Sequence, residues 1–158
     1  MKRDGLAPAA AAIDQPGHYI RRLQQIAVAV FLQETDGHGV TPVQFAALQM
    51  VADAPGIDQR SLARAIGFDT STIAGVVDRL EARALLQRHC SPDDRRVRRL
   101  ALTAAGRALL DAVRPGMERA QRRMLEPLPA PERAEFMRML RRLVTENNEL
   151  SRAPSQDG

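Results

Sequence analysis

A mainly α-helical fold carrying one small β-hairpin is predicted for this 158-residue chain, and three observations predict it. Apolar residues recur at helical spacing through most of Gly17 to Leu150, while four Phe and one Tyr supply few strand signals. Segment ends carry chemical markers, with Thr-Pro at a start and Gly or Pro-Gly at stops. One run only, LQRHC–SPDDRRV–RRLALT (Leu86–Thr103), has the alternation and polar tip of a hairpin.

The elements follow in order. In His18–Glu34, Ile20, Leu23, Ala27 and Val30, with Ile26 and Phe31 beside them, give a helix with a wide apolar face. Asp36–Gly39 (DGHG) stops it. Thr41 can cap the next helix, Pro42 fits its first position and Gln44 completes a capping box. That helix runs to about Asp53 and ends at Ala54–Pro55–Gly56. SLARAI (Ser61–Ile66) is a short helix, Gly67 a left-handed turn residue, and TSTIAGVVDRLEARALL (Thr70–Leu86) a second helix. After the hairpin, Thr103 caps a long helix, Ala104–Glu126, in which Leu110, Val113, Met117, Ala120 and Met124 repeat every 3.5 residues, a seam for a partner helix. Pro115–Gly116 inside it predicts a kink or a break. A last helix, Pro131–Glu149, puts Phe136, Met137, Leu140, Leu143 and Val144 on one side. Residues 1–16 read as a flexible arm and 151–158 as a disordered tail.

Residues 17–150 form one domain in this reading. A mid-chain lobe, 41–103, has its own small core and is flanked by helices in 17–36 and 104–150. A self-contained bundle would satisfy the three terminal stripes. A homodimer satisfies them better, because the small lobe cannot cover all three, and two-fold symmetry suits a palindromic duplex.

The net charge is +4 and the pI near 10.4, with the cation almost all arginine, a residue suited to phosphate and guanine. No apolar run is long enough for a membrane span, and the polar start MKRDGLAPAAAAID lacks a secretory core, so a cytoplasmic protein without a membrane partner is expected. One cysteine, Cys90, excludes an internal disulfide framework. His18, His38 and His89 are too scattered for a metal site. No phosphate-cradling glycine loop, nucleophile elbow or carboxylate pair supports an enzyme or a cofactor. A helix beside an arginine-rich hairpin can instead enter a duplex groove while the loop grips the backbone.

TPVQFAALQMV, SLARAIGFDTSTIAGVVDRLEARALL and SPDDRRVRRLALTAAGRALL together resemble the MarR family of winged helix-turn-helix regulators. The most specific elements are Asp94 and Arg96, followed by Leu102, Thr103 and Gly106. The resemblance implies a dimer built from the first and last helices, binding a pseudo-palindromic operator, commonly as a repressor released by a small phenolic or aromatic carboxylate. One departure is Ala84, where the family usually has glycine. At positive φ, alanine there costs about 1 kcal/mol relative to glycine.

In Thr70–Leu86, Ile73, Val76, Val77 and Leu80 face inward, leaving Ser71, Thr72, Gly75, Asp78 and Arg79 outward as groove-facing residues. Ser71 and Thr72 also fit a simple cap, and Asp78 and Glu81 compete for Arg79. Gln59, Arg60 and Ser61 are candidates for phosphate contact. The resemblance gives Arg96 the minor-groove role with Asp94 orienting it, and Arg95 and Arg98 flank them. Strand alternation puts Arg98 on the face of Leu100 and Leu102, to be drawn in or to snorkel. An effector site is expected where the dimer helices meet the lobe, from His18, Tyr19, Arg22, Phe31, Phe45 and Leu48. The alternative is that Tyr19 and Phe45 are core, His18 caps a helix and Arg22 is a surface charge. GHYIRRLQQIAVAVF also resembles family regulators of aromatic-acid catabolism, nicotinate degradation included, which implies a hydroxybenzoate- or hydroxynicotinate-like small-molecule effector. Two other readings are a redox switch at Cys90 and an architectural DNA-binding protein tolerant of sequence.

Overall fold

The computed structural model describes residues 13–151, so most of the expected arm and tail lies outside the described residues. The chain runs α1 (Pro16–Glu34), α2 (Pro42–Asp53), α3 (Gln59–Ile66), α4 (Thr70–Ala82), β1 (Leu86–Cys90), β2 (Arg98–Leu102), α5 (Ala104–Leu125), α6 (Ala130–Glu146) and a 3₁₀ turn, Asn148–Leu150. The mainly helical fold with one hairpin wing is therefore as the sequence predicts.

The starts of α2 to α5 follow side-chain chemistry, whereas α1 and α6 start at prolines without a side-chain cap. Thr41 Oγ1 accepts from the Gln44 amide and the Gln44 side chain accepts from the Thr41 amide, completing the capping box. Asp58, Asp69 and Thr103 cap α3, α4 and α5. The Asp58 cap begins α3 at Gln59, two residues before the expected Ser61. A larger difference lies at the end of α4, which stops at Ala82 and not at Leu86. Ala84 adopts φ +56°, and among the described residues it is the only non-glycine at positive φ. The chain turns there, and Leu86 opens β1.

β1 and β2 pair antiparallel, from Leu86 opposite Leu102 to Cys90 opposite Arg98. A rudimentary third strand flanks β2. The Gly56 amide donates to the Leu100 carbonyl, and the Leu100 amide to that of Ile57. This edge, unforeseen in the sequence, fixes the start of α3 against the hairpin. Leu48, Leu62, Ile73, Leu80, Leu86 and Leu100 are fully buried and join α2, α3, α4 and the hairpin into one core. Gly106 of the L-T-x-x-G segment lies against Leu85, where a Cβ would overlap the Leu85 carbonyl oxygen. Glycine is thus required for α5 to leave the wing at this angle.

α5 is continuous through Pro115, so of the two expectations there, a kink or a break, the break is excluded. Its seam closes on α1 of the same chain, with Phe31, Leu110, Val113 and Ala120 buried. Gly116 marks the crossing, since a Cβ there would overlap the Glu34 carbonyl oxygen. Arg119 Nε (2.9 Å) and Arg123 (3.1 Å) clasp the Glu34 carboxylate beside it. The Arg119 hydrogen bond chiefly holds the Glu34 pKa below its usual value, against a smaller desolvation effect. One of the three terminal stripes is therefore covered within the chain. α6 has no buried residue, and Leu143 (55%) and Val144 (64%) remain exposed, as do Tyr19 and Ile20 of α1.

Candidate nucleic-acid interface

α4 presents one open face. Ile73, Val76, Val77 and Leu80 are buried, whereas Ser71, Thr72, Asp78 and Arg79 are exposed and Gly75 half-buried. The Asp69 carboxylate caps the helix, accepting from the Thr72 amide (2.8 Å) and from the hydroxyls of Ser71 (2.7 Å) and Thr72 (2.8 Å). The Thr72 amide first, then the two hydroxyls, pull the Asp69 pKa down to about 2. Ser71 and Thr72 are thus part of the cap. With their protons given to Asp69, they turn oxygen lone pairs outward, so in this arrangement they accept from base donors or water.

Arg79 makes no ion pair among the described residues. Its guanidinium folds over Gly75, 3.7 Å from where a Cβ would stand. The competing acids lie one residue before it and two after, positions that do not face Arg79 on a helix. They are taken by a residue the sequence reading missed: Arg88 of β1 donates from Nε to Glu81 and from a terminal nitrogen to Asp78, both at 2.6 Å. Arg83 reaches back to the loop after α1, donating to the Gly39 carbonyl at 2.7 Å and that of His38 at 3.4 Å.

The wing stands beside this helix. Asp94 accepts from the Arg96 backbone amide at 2.9 Å, so it shapes the tip and does not hold the guanidinium. Arg95 and Arg96 are exposed and make no ion pair among the described residues. Arg98 is exposed, neither drawn in nor buried, and donates to Cys90 Sγ at 3.0 Å. Cys90 is free and exposed at the end of β1. Arg99, a wing arginine given no site role from the sequence, ties the third strand by donating to the Gly56 carbonyl at 3.1 Å.

Between α3 and the wing lies an open cleft of about 680 Å³. It brings together Gln59, Arg60, Ser61, Asp94, Arg96 and Arg98, with Asp58, Arg64, Thr70 and Val97 also lining it. Arg64 was legible in principle, being one helical turn after Arg60. Asp58 accepts from the Ser61 amide (2.9 Å) and hydroxyl (2.7 Å). Burial raises its pKa, but these bonds and those of nearby amides outweigh it, and Asp58 stays below the usual carboxylate value. The Gln59 Oε1 atom is buried without a hydrogen-bond partner. A cationic wing, an exposed helix and a polar cleft between them can engage phosphate and base edges together.

The six expected effector residues do not gather in one chain. Phe31, Phe45 and Leu48 are core, with the Phe31 and Phe45 rings 6.0 Å apart. Tyr19 and Arg22 are exposed and His18 half-buried on the first turns of α1. Tyr19 is therefore not core. Its hydroxyl donates to Asp14 at 3.2 Å, and it packs edge-on against His18. Among the described residues, no group of His, Cys, Asp and Glu is placed to hold a metal ion, and no helix is long and apolar enough to cross a membrane.

Known proteins resemble this chain in sequence and fold. The MarR family model matches residues 38–97. The transcriptional repressor NicR of Pseudomonas putida is 35% identical over 131 residues, 83% of each chain. Bordetella bronchiseptica BpsR, solved in a study of how 6-hydroxynicotinic acid regulates its DNA binding, matches with a TM-score of 0.79. It is 33% identical over 83% of this chain and 94% of its own. The repressor CouR, bound to a 23-mer DNA duplex, matches with a TM-score of 0.80 at 28% identity, covering 89% of this chain and 99% of its own.

Proposed function

Since this chain belongs to the MarR family of transcriptional regulators, DNA-binding proteins and not enzymes, we propose that it is a dimeric repressor of a palindromic operator, released by a small aromatic carboxylate. Residues 41–103 are the DNA-binding lobe, and 17–36 and 104–150 the dimerisation helices. The observation that carries the reading is the cleft joining the start of α3 to the wing, beside the open face of α4. In this reading α4 enters the major groove with Ser71, Thr72, Gly75 and Arg79 toward the bases. Arg96 enters the adjacent minor groove, where the negative potential is enhanced, Gln59, Arg60 and Ser61 meet phosphate, and Arg95 and Arg98 flank the wing. The likeness to a repressor solved on duplex DNA supports it.

Release follows from population shift. An acid bound where the dimer helices meet the lobe favours a spacing of the two α4 helices that no longer matches successive grooves, roughly 34–36 Å apart. Arg22, Tyr19 and His18 supply a cation, a phenol and a ring on an open helix face, with the second chain closing the wall. The likeness to BpsR supports a hydroxynicotinate-like effector; a hydroxybenzoate is the alternative within the same class.

A mobility-shift assay on duplex from upstream of its own coding region tests the reading. Arg96→Ala is expected to weaken binding by about tenfold or more while sedimentation still shows a dimer. A folded wild-type dimer that leaves every such duplex unshifted at moderate salt would refute it. In a thermal-shift screen of aromatic acids, the effector raises the melting temperature of the wild type and not of Arg22→Ala.

A further inference from the structure

Arg88 belongs to neither the α3–wing cleft nor the open face of α4, yet it is the cation most tightly engaged with the groove-facing helix. It sits on β1 opposite Leu100 and reaches to Asp78 and Glu81, 2.6 Å from each. Asp78 adjoins Arg79, and its side chain is 61% exposed. A helix lowered into a duplex carrying exposed carboxylates meets the phosphate field with like charge.

We infer that Arg88 is a positioning residue for DNA binding: it masks the carboxylates of Asp78 and Glu81, so that α4 approaches phosphate with one uncompensated negative charge instead of two. The inference rests on the DNA-binding reading above. Among the described residues, neither of the other arginines on or after this helix substitutes for it. Arg83 is committed to the His38 and Gly39 carbonyls, and Arg79 lies over Gly75. Removing Arg88 leaves both carboxylates uncompensated on the helix that approaches phosphate.

The experiment measures binding of the full-length protein to one labelled duplex from upstream of its coding region, across a salt series. Arg88→Ala is expected to weaken binding about tenfold at low salt. Asp78→Asn with Glu81→Gln added to it is expected to restore wild-type affinity. With Arg88 intact, the same two substitutions should bind at least as well as wild type, and with a steeper salt dependence, because Arg88 is then free for phosphate. This double variant keeps the test decisive should Arg88→Ala fail to fold. If Arg88→Ala binds as wild type, or if the Asn/Gln pair with Arg88 intact binds more weakly, Arg88 is a mechanical pin or a bystander and the inference falls. A wild-type protein that shifts no duplex overturns the DNA-binding reading and this inference together. Loss in Arg88→Ala alone, unrescued by neutralising the acids, overturns the inference only.

Discussion

Ala84 holds a left-handed backbone angle, φ +56°, that a Cβ disfavours by about 1–2 kcal/mol. Replacing it with glycine removes that strain but frees the unfolded chain, which costs about 0.5–1 kcal/mol. Ala84→Gly is therefore expected to stabilise the fold by about 0.5–1 kcal/mol, read as a higher denaturant midpoint with unchanged slope. The residue was legible in the sequence because it departs from the glycine its motif calls for. Gly106 was legible as a motif member, but its reason, the Leu85 carbonyl against it, belongs to tertiary packing. Arg88 was not legible. Its partners lie seven and ten residues away across a strand entry, a distance that no helical or strand period connects.

Helix starts were readable and helix ends less so, for a chemical reason. A start needs an oxygen for free amides, and Thr41 and Thr103 stand at those positions. α4 ends without such a marker, so a continuous apolar rhythm carried the expected helix four residues too far, through Leu85 and Leu86, which turn inward to the hairpin core. The Asp69 cap of α4 predicts a pH response. Its folded pKa, about 2, lies below the ordinary 3.8. The stabilisation is thus fully present above about pH 4 and is lost as pH falls through 2. Against wild type, Asp69→Asn should lose that part of the acid dependence between pH 4 and 2, measured as denaturant midpoints at successive pH values. Equal slopes of midpoint against pH would show that the cap carries no titrating stability.

For the molecule as a whole, the hydrophobic surplus sits at the two ends of the chain. Ile20 of α1 and Leu143 and Val144 of α6 are more than half exposed, whereas the central core is closed. The sequence showed the surplus but misjudged its distribution. The α5 seam, regular enough for an intermolecular pairing, is satisfied by α1 of its own chain, because Gly116 lets α1 end against it. The effector set was the least legible part. Helical spacing alone does not separate a core phenylalanine such as Phe45 from a pocket wall, and a pocket shared by two chains leaves no trace in one. Leu143→Glu with Val144→Glu should convert the dimer to monomer in sedimentation while helical circular dichroism is retained. The same variant should bind a half-site weakly and lose the preference for a full palindrome.

The grip of Arg83 on the His38 and Gly39 carbonyls joins the far end of α4 to the corner where α1 finishes. That corner is braced in turn by the clasp of Arg119 and Arg123 on Glu34. The three arginines thus run a line of polar contacts from the end of α4, through the corner after α1, to the second half of α5.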